Sequence, residues 1–586
     1  MAGFPDPLVV PARLAISIGQ CSIAGRKAEN QDFHGALVPD GSLLASKGVV
    51  VALADGISSS ALGAVAAETA VKSVLTDYFS TSDAWSVRSS AERVIAATNS
   101  WMHAQNLRGA GILSDEARER AMVCTLSALV IRSRLAHIFH IGDCRIARLS
   151  GGMLEPLTEP HRVHLGGGES YLGRALGVNR HVEIDYMRIA VQPGDLFMLT
   201  TDGVHDHLST AEMVAAIAQA PDLDAAARGI VERALAAGSQ DNCTVQIVRI
   251  DALPEGGIAD LVGAEAALPP APRLDPGKDF EGYAILRELH SGSRSHVYLG
   301  RDKADGVMVA IKVPATDHAE NPAELQALLL EEWVARRVAN THVLKAAPQR
   351  GGRGHVYSVT EYVEGRTLDI WMQDQRGTDL AAIRSLIRQI ASGLQALHRR
   401  EMVHRDLRPR NVIVDGDGTA RIIDFGSVQV AGLEELAPRG EDAAFAGTMQ
   451  YGAPELYLGA AATRQSDIFS LGVIAYQMLT GQLPYGPRLA TAGTRAAQRK
   501  LRYVPVVERN PDVPDWMDAA IARAVAIEPH RRYAELSEFV YDFIHPNPAL
   551  VGPDSRPLLA RKPERLWQAI SLALLIALVT ALWPLR

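Results

Sequence analysis

Cysteine is scarce in this chain of 586 residues, with only Cys21, Cys124, Cys144 and Cys243. None stands in CxxC or CxxH spacing, so a zinc framework is excluded, and reduced thiols in a cytoplasmic protein fit better than a disulfide scaffold. A basic excess is also missing: the formal net charge is −8, so no nucleic-acid partner is expected. Residues 1–14 lack the basic stretch, apolar core and small-residue cleavage site of a secretory signal. No repeat of solenoid period runs through the sequence.

What is there has the composition of a folded protein, 47% hydrophobic and 22% charged, which excludes wholesale disorder. Such a length exceeds what one hydrophobic core organises, so at least two domains are expected. The stretch LPEGGIADLVGAEAALPPAPRLDPGK (253–278) is rich in Pro, Gly and Ala, lacks periodicity and reads as a linker. It divides a domain at 13–252 from one at 279–545. Beyond them, 546–565 is a basic juxtamembrane segment and Leu566–Leu585 is apolar apart from Gln568, Ser571 and Thr580, with Trp567 and Trp583 near its ends. As a helix it would span about 30 Å, a bilayer's hydrocarbon core. Arg561, Lys562 and Arg565 precede it, so the positive-inside bias predicts a single-pass anchor in the inner membrane with both domains in the cytoplasm. The alternative is a terminal helix docked in a groove or a dimer seam.

In the first domain, short apolar runs at 48–53, 127–131, 136–141 and 196–200 predict strands, and 61–78, 91–105 and 210–220 predict helices. Asp32, Asp55, Asp143, Asp202 and Asp241 each fall at or near the edge of an apolar run. One such aspartate is a turn residue. Five together suggest oxygen ligands for hard divalent cations, which can activate a water for attack on a phosphate ester.

Read in order, GRKAENQD (25–32), VALADG (51–56), HIGDCR (140–145), LTEPHR (157–162), PGDLFMLTTDG (193–203) and SQDNCTV (239–245) resemble the protein phosphatase 2C family. The resemblance implies that Asp32, Asp55, Asp202 and Asp241, with the Gly56 carbonyl, hold two Mn²⁺ or Mg²⁺ ions. It further implies that Asp143 and Asp202 share a third, and that Arg26 grips the substrate phosphate. His161 reads as structural. The family's Glu before the first metal aspartate is Gln31 here, GDSR becomes GDCR and MGTTL becomes MVCTL (122–126).

The second domain opens on YAILRELHSGSRSHVYLG (283–300), a poor glycine-rich loop in which His290, Gly292 and Ser295 take the three glycine positions. The strand VAIK (309–312) follows, and a lysine buried at its end needs an anion and a carboxylate. The helix predicted over 323–339 offers Glu331, with Glu332 as the fallback. MVHRDLRPRNVIV (402–414) and RIIDFGSV (421–428) resemble the catalytic loop and DFG motif of protein kinases, with Asp424 13 positions after Asn411. TEYVEG (360–365), GTMQYGAPE (447–455), SDIFSLGVIAYQMLTGQLPY (466–485) and Arg532, expected to pair with Glu455, extend the resemblance over 280–545.

By that resemblance Asp406 accepts the proton of the substrate hydroxyl, Arg408 replaces the usual Lys at the γ-phosphate, and Lys312, paired with Glu331, holds the α- and β-phosphates. Asn411 and Asp424 hold Mg²⁺, and ATP lies against Gly292, Val297, Ala310, Glu361 and Val363. Glu441 and Asp442 stand where a phosphorylated residue often sits and are expected to pair with Arg405. The chain as a whole reads as multidomain α+β: a phosphatase 2C-like β-sandwich flanked by helices, a bilobal kinase fold and a C-terminal transmembrane helix. The expected function is phosphorylation and dephosphorylation of protein Ser/Thr, as in bacterial signalling proteins of mixed type. A nucleotide-binding pseudokinase or a membrane-tethered scaffold is the alternative. The shared chain leaves self-dephosphorylation and a dimer open.

Overall fold

The computed structural model describes residues 13–108, 121–165, 169–254, 268–315, 321–348, 352–375, 379–435, 450–547 and 549–550, with residues 567, 568, 570, 571 and 574. Twelve strands build the first domain: β1 Ala15–Ile23, β2 Asp32–Leu37, β3 Val49–Asp55, β4 Leu126–Arg132, β5 Leu135–Ile141, β6 Arg145–Ser150, β7 Met153–Pro156, β8 Arg162–Leu165, β9 Glu169–Leu172, β10 Asp185–Ala190, β11 Leu196–Thr200 and β12 Cys243–Ala252. Ten of them form two five-stranded sheets, in the orders β1-β12-β11-β6-β7 and β10-β5-β4-β3-β2.

The unbroken apolar run of β3 (VVVALAD) follows from burial on both faces. Val49, Val51 and Leu53 enter the core between the sheets. Val50, Ala52 and Ala54 point the opposite way, into a core shared with the helices α2 (Gly63–Ser80) and α3 (Val87–Arg108), which follow the short α1 (Gly41–Lys47). Strand β12 repeats the pattern: Val248 and Ile250 face the sheet interior, while Val245 and Ile247 meet the helical layer that includes α5 (Thr210–Gln219) and α6 (Leu223–Ala236), beyond the short α4 (Asp202–His205). Period-two alternation thus makes a helix–sheet–sheet–helix sandwich. Ser209 and Glu212 form a capping box at the start of α5, and the Asp222 side chain caps α6.

The second domain begins with β13 (Asp279–Phe280), β14 (Tyr283–Ser291), β15 (Ser295–Asp302), β16 (Met308–Pro314) and β17 (Ser358–Glu361), a five-stranded antiparallel sheet in chain order. Helix α7 (Pro322–Arg337) starts with an Asn321 cap and a proline in its first turn. The larger lobe is helical, with α8 (Leu380–His398), α9 (Ala431–Glu434), α10 (Arg464–Thr480), α11 (Asp515–Ala524) and α12 (Leu536–Ile544). Short strands β18 (Gly365–Thr367), β20 (Val412–Asp415) and β21 (Ala420–Ile422) form one ribbon, and β19 (Met402–Val403) with β22 (Gln429–Val430) another. Twelve of the 17 residues of α10 are buried, because it runs through the middle of this lobe.

Inside the lobe, Arg532 donates to both carboxylate oxygens of Glu455, at 2.8 and 2.6 Å, and to the carbonyls of Gln465, Ala526 and Ile527. Arg532→Ala strands a buried carboxylate and is expected to cost about 3–5 kcal/mol. Thermal unfolding of the lobe measures it, and a loss under about 1 kcal/mol would contradict this account.

The expected membrane anchor needs correction. Among the described residues no helix is long and apolar enough to cross a membrane. Of the 566–585 segment, Trp567, Gln568, Ile570, Ser571 and Leu574 are described. The transmembrane helix, and the single-pass localisation and membrane partner that rested on it, are not supported. The rest of 566–585, the basic residues Arg561, Lys562 and Arg565, linker residues 255–267, and Glu441, Asp442 and Thr448 lie outside the described residues.

Candidate active sites

Pairing of β2 with β3 sets Asp32 opposite Asp55, which brings two carboxylates to one end of the sandwich. Asp32 Oδ2 accepts hydrogen bonds from Thr201 (3.0 Å) and Thr244 (2.6 Å), whereas its Oδ1 is buried without a hydrogen-bond partner. Burial raises the pKa of Asp32 to about 6 and that of Asp202 to about 7, where the charges of Asp143 and Asp241 add to the effect. Asp55 is pushed well above the carboxylate range by burial and by the charges of Asp32, Asp202, Asp143 and Asp241. Five mutually repelling carboxylates and an orphaned oxygen are what a divalent cation would relieve.

Gly56 sits next to this cluster, and a Cβ there would lie 2.3 Å from the Gly63 carbonyl oxygen, so only glycine fits. Gln31, the departure from the family pattern, donates to the Ser60 carbonyl at 2.9 Å and serves as a structural tie. Arg26 lies exposed on the turn after β1.

Sequence reasoning missed Arg162. Its guanidinium reaches Asp143 (2.9 Å), Asp202 (3.0 Å) and Asp206 (2.9 Å) from the start of β8. Lys27 likewise pairs with Asp241. These cations draw the carboxylates onto themselves, and among the described residues no three His, Cys, Asp or Glu side chains are gathered to hold an ion as they stand. Arg162 thus bridges Asp143 and Asp202, the pair expected to share a third ion. The signal available beforehand was the arginine inside LTEPHR, one residue past His161. His161 itself takes a hydrogen bond from the Gly142 amide (3.0 Å) and contacts Asp185 (2.9 Å), holding the turn that bears Asp143.

In the second domain Lys312 Nζ donates to Glu331 Oε2 (2.7 Å) and Asp424 Oδ1 (3.2 Å). The paired acids raise the pKa of this partly buried lysine, and Lys312 in turn lowers that of Asp424. Glu332 is used elsewhere, pairing with Arg336 and Arg353 and accepting from the Val359 amide. Asn411 Nδ2 donates to the backbone carbonyl (2.8 Å) and Oδ2 (3.3 Å) of Asp406, and Arg408 Nε lies 3.6 Å from the same carboxylate. Buried Asp467 accepts from the His404 and Arg405 amides and from His398, which fixes the loop before Asp406.

Strand register places Val297 opposite Lys312, Ala310 opposite Thr360 and Val309 opposite Glu361, so the predicted nucleotide contacts share one sheet. Val363 follows at the junction of the lobes. At the hairpin tip the Gly292 amide donates to the Ser295 carbonyl (3.0 Å), and a Cβ on Gly292 would crowd the His290 ring at 3.0 Å. Arg405, expected to meet Glu441 or Asp442, is partly buried, and among the described acids Glu434 and Asp467 act on it.

Comparison with known proteins agrees with this division. The family model described as Protein phosphatase 2C matches residues 22–236, and that described as Protein kinase domain matches residues 283–549. The probable serine/threonine-protein kinase PknB of Lactococcus lactis is 29% identical over 269 residues, which cover 45% of this chain and 42% of that protein. Serine/threonine-protein kinase Pkn1 of Myxococcus xanthus is 31% identical over 263 residues, 44% of this chain and 37% of its own length. The chain thus spans less than half the length of either kinase. Among solved structures, the catalytic domain of the serine/threonine protein phosphatase PstP in complex with two manganese ions is 24% identical with a TM-score of 0.34, covering 41% of this chain and 99% of that one. The matches fall on either side of one linker, and the chain is a fusion of a protein phosphatase 2C domain with a protein kinase domain that follows it.

Proposed function

We propose that this protein both phosphorylates protein Ser/Thr from ATP and hydrolyses phosphoserine and phosphothreonine in proteins. The observation that carries the kinase half is the joined set of Lys312, Glu331 and Asp424. A pseudokinase would be expected to have lost such a link. In this reading Lys312 binds the α- and β-phosphates, Glu331 orients it, and Asp406 orients the substrate hydroxyl and accepts its proton. Arg408 supplies positive charge at the γ-phosphate. Gly292, Val297, Ala310, Glu361 and Val363 would enclose the nucleotide.

In the phosphatase half, Asp32, Asp55, Asp202, Asp241 and the Gly56 carbonyl would hold two Mn²⁺ or Mg²⁺ ions, and Asn411 and Asp424 would hold Mg²⁺ in the kinase. Bound cations neutralise phosphate charge and, in the phosphatase, lower the pKa of a water to make a nucleophile. Arg26 would receive the substrate phosphate as a bidentate donor. Arg162 would act as a tethered cation beside Asp143, leaving two ions in the wild type. Manganese titration by calorimetry is expected to give two equivalents, and Arg162→Ala a third of weaker affinity. An identical stoichiometry in both would remove this role for Arg162.

The pair of activities is tested on the full chain with radiolabelled ATP and, separately, with a phosphothreonine peptide. Transfer of label to protein and manganese-dependent release of phosphate are expected. Absence of either with all substrates tried, including the chain itself, would discard that half of the proposal.

A further inference from the structure

Among the described residues the phosphatase domain meets its neighbour through Arg93 and Arg132, which reach Glu401 and Glu435, and mainly through a short loop beside them, residues 81–87 between α2 and α3. Lys47 shapes it from inside, donating to Thr81 Oγ1 (2.6 Å), the Ser82 carbonyl (2.8 Å) and Ser90 Oγ (3.2 Å). Ala84 at its tip is fully buried and belongs to the hydrophobic core of the kinase's larger lobe.

Three separate pieces of the kinase meet this loop. The first is the end of α7, where Arg337 Nε donates to Asp83 Oδ2 at 2.8 Å. The second is the turn before β19, where the Arg399 carbonyl accepts from Trp85 Nε1 (3.0 Å) and Glu401 accepts from the Ser86 amide (3.2 Å). The third is α9 and the residue after it: the Gly432 amide donates to the Ala84 carbonyl (3.0 Å), and Glu435 accepts from the Val87 amide (2.9 Å) and lies 3.4 Å from Arg132. A Cβ on Gly432 would stand 2.8 Å from the Trp85 carbonyl oxygen, so the approach leaves no room for a side chain.

These contacts are chemically matched. Ser86 and Val87 present unsatisfied N–H groups at the positive end of the 22-residue α3, and Glu401 and Glu435 bring carboxylates to them. The Arg132 side chain is only 1% exposed, and Glu435 is its ion-pair partner there. Leaving either charge alone in that setting would be costly.

The three pieces are also those that carry the kinase's chemical groups. Helix α7 bears Glu331. The Arg399–Glu401 turn leads through β19 into the loop of Asp406 and Asn411. The α9 turn follows Asp424 by a few residues through β22, which pairs with β19. We propose that the 81–87 loop is an intramolecular docking surface through which the phosphatase fold, not its hydrolysis, holds the kinase cleft in its Lys312–Glu331–Asp424 arrangement. The proposal rests on the kinase reading given above.

Its test uses the full chain carrying Asp83→Ala with Trp85→Ala, and separately Gly432→Ala, which disturbs the same contact from the kinase side. Amide hydrogen exchange is expected to quicken at 331–338, 399–403 and 429–435, and phosphoryl transfer to fall by about 5- to 150-fold, the usual range of intersite coupling. Phosphatase turnover on a phosphopeptide should stay within about twofold of wild type, which also reports that the first domain is folded. Unchanged exchange, or faster exchange with undiminished transfer, would overturn the proposal. If the wild type transfers no phosphate at all, the kinase reading fails, while exchange in the variants still decides whether the docking holds the cleft.

Discussion

Asp406→Asn lowers the rate of phosphoryl transfer by about 10²- to 10⁴-fold, the range that a positioned general base contributes. The substitution is isosteric, and the Asn411 contact to the Asp406 backbone carbonyl (2.8 Å) does not involve the altered side chain. Arg408, 3.6 Å from the carboxylate, loses a charged neighbour but keeps a polar one. ATP affinity should therefore hold, since Lys312, Glu331 and Asp424 are untouched, and the loss should appear in kcat and not in KM for ATP. Single-turnover transfer with radiolabelled ATP makes the measurement. A variant within tenfold of wild type would remove Asp406 from the proton-accepting role and favour a purely positional account of this site.

Asp55→Asn is expected to reduce phosphatase turnover by about 10³-fold and to weaken manganese binding in parallel. A carboxylate that helps hold a catalytic cation supports several kcal/mol of transition-state stabilisation, and each 1.36 kcal/mol is a factor of ten. The same change should raise stability when a chelator is present. Asp55 is half-buried and faces the charges of Asp32, Asp202, Asp143 and Asp241, so losing its charge relieves repulsion that no bound cation then offsets. The backbone amide of residue 55 keeps its bond to Thr125 Oγ1 (2.9 Å), which should preserve the local fold. Thermal unfolding with and without manganese separates the effects: a higher midpoint in chelator together with a smaller manganese-induced gain is expected. A lower midpoint in chelator would mean that Asp55 is structural and not strained for metal.

Much of this was legible in the chain alone, for identifiable reasons. Strands such as 196–200 were predicted to the residue because a fully apolar run bounded by turn residues has few other options. Helix α6, capped by Asp222, is not among the helices predicted from the sequence. The choice between Glu331 and Glu332 was open in sequence because adjacent helix positions differ by about 100° in direction, and only packing tells which one faces Lys312. Arg162 is not legible in sequence because its partners come from two segments distant from it, the turn that bears Asp143 and the short helix α4 with Asp202 and Asp206. The terminal apolar run pointed to a membrane by composition, and the described residues hold no helix that bears this out.

The sequence by itself determined the order of two domains and the chemical groups each carries, because the aspartates at strand ends and the HRD and DFG residues are recognisable by type and spacing. Tertiary structure alone decided which charges neutralise each other and where the domains meet. Arg162 among the aspartates, and the 81–87 loop against Arg337, Glu401 and Glu435, join residues far apart in the chain. Local pattern holds no record of such pairs, since they exist only once separate cores have formed and brought their surfaces together.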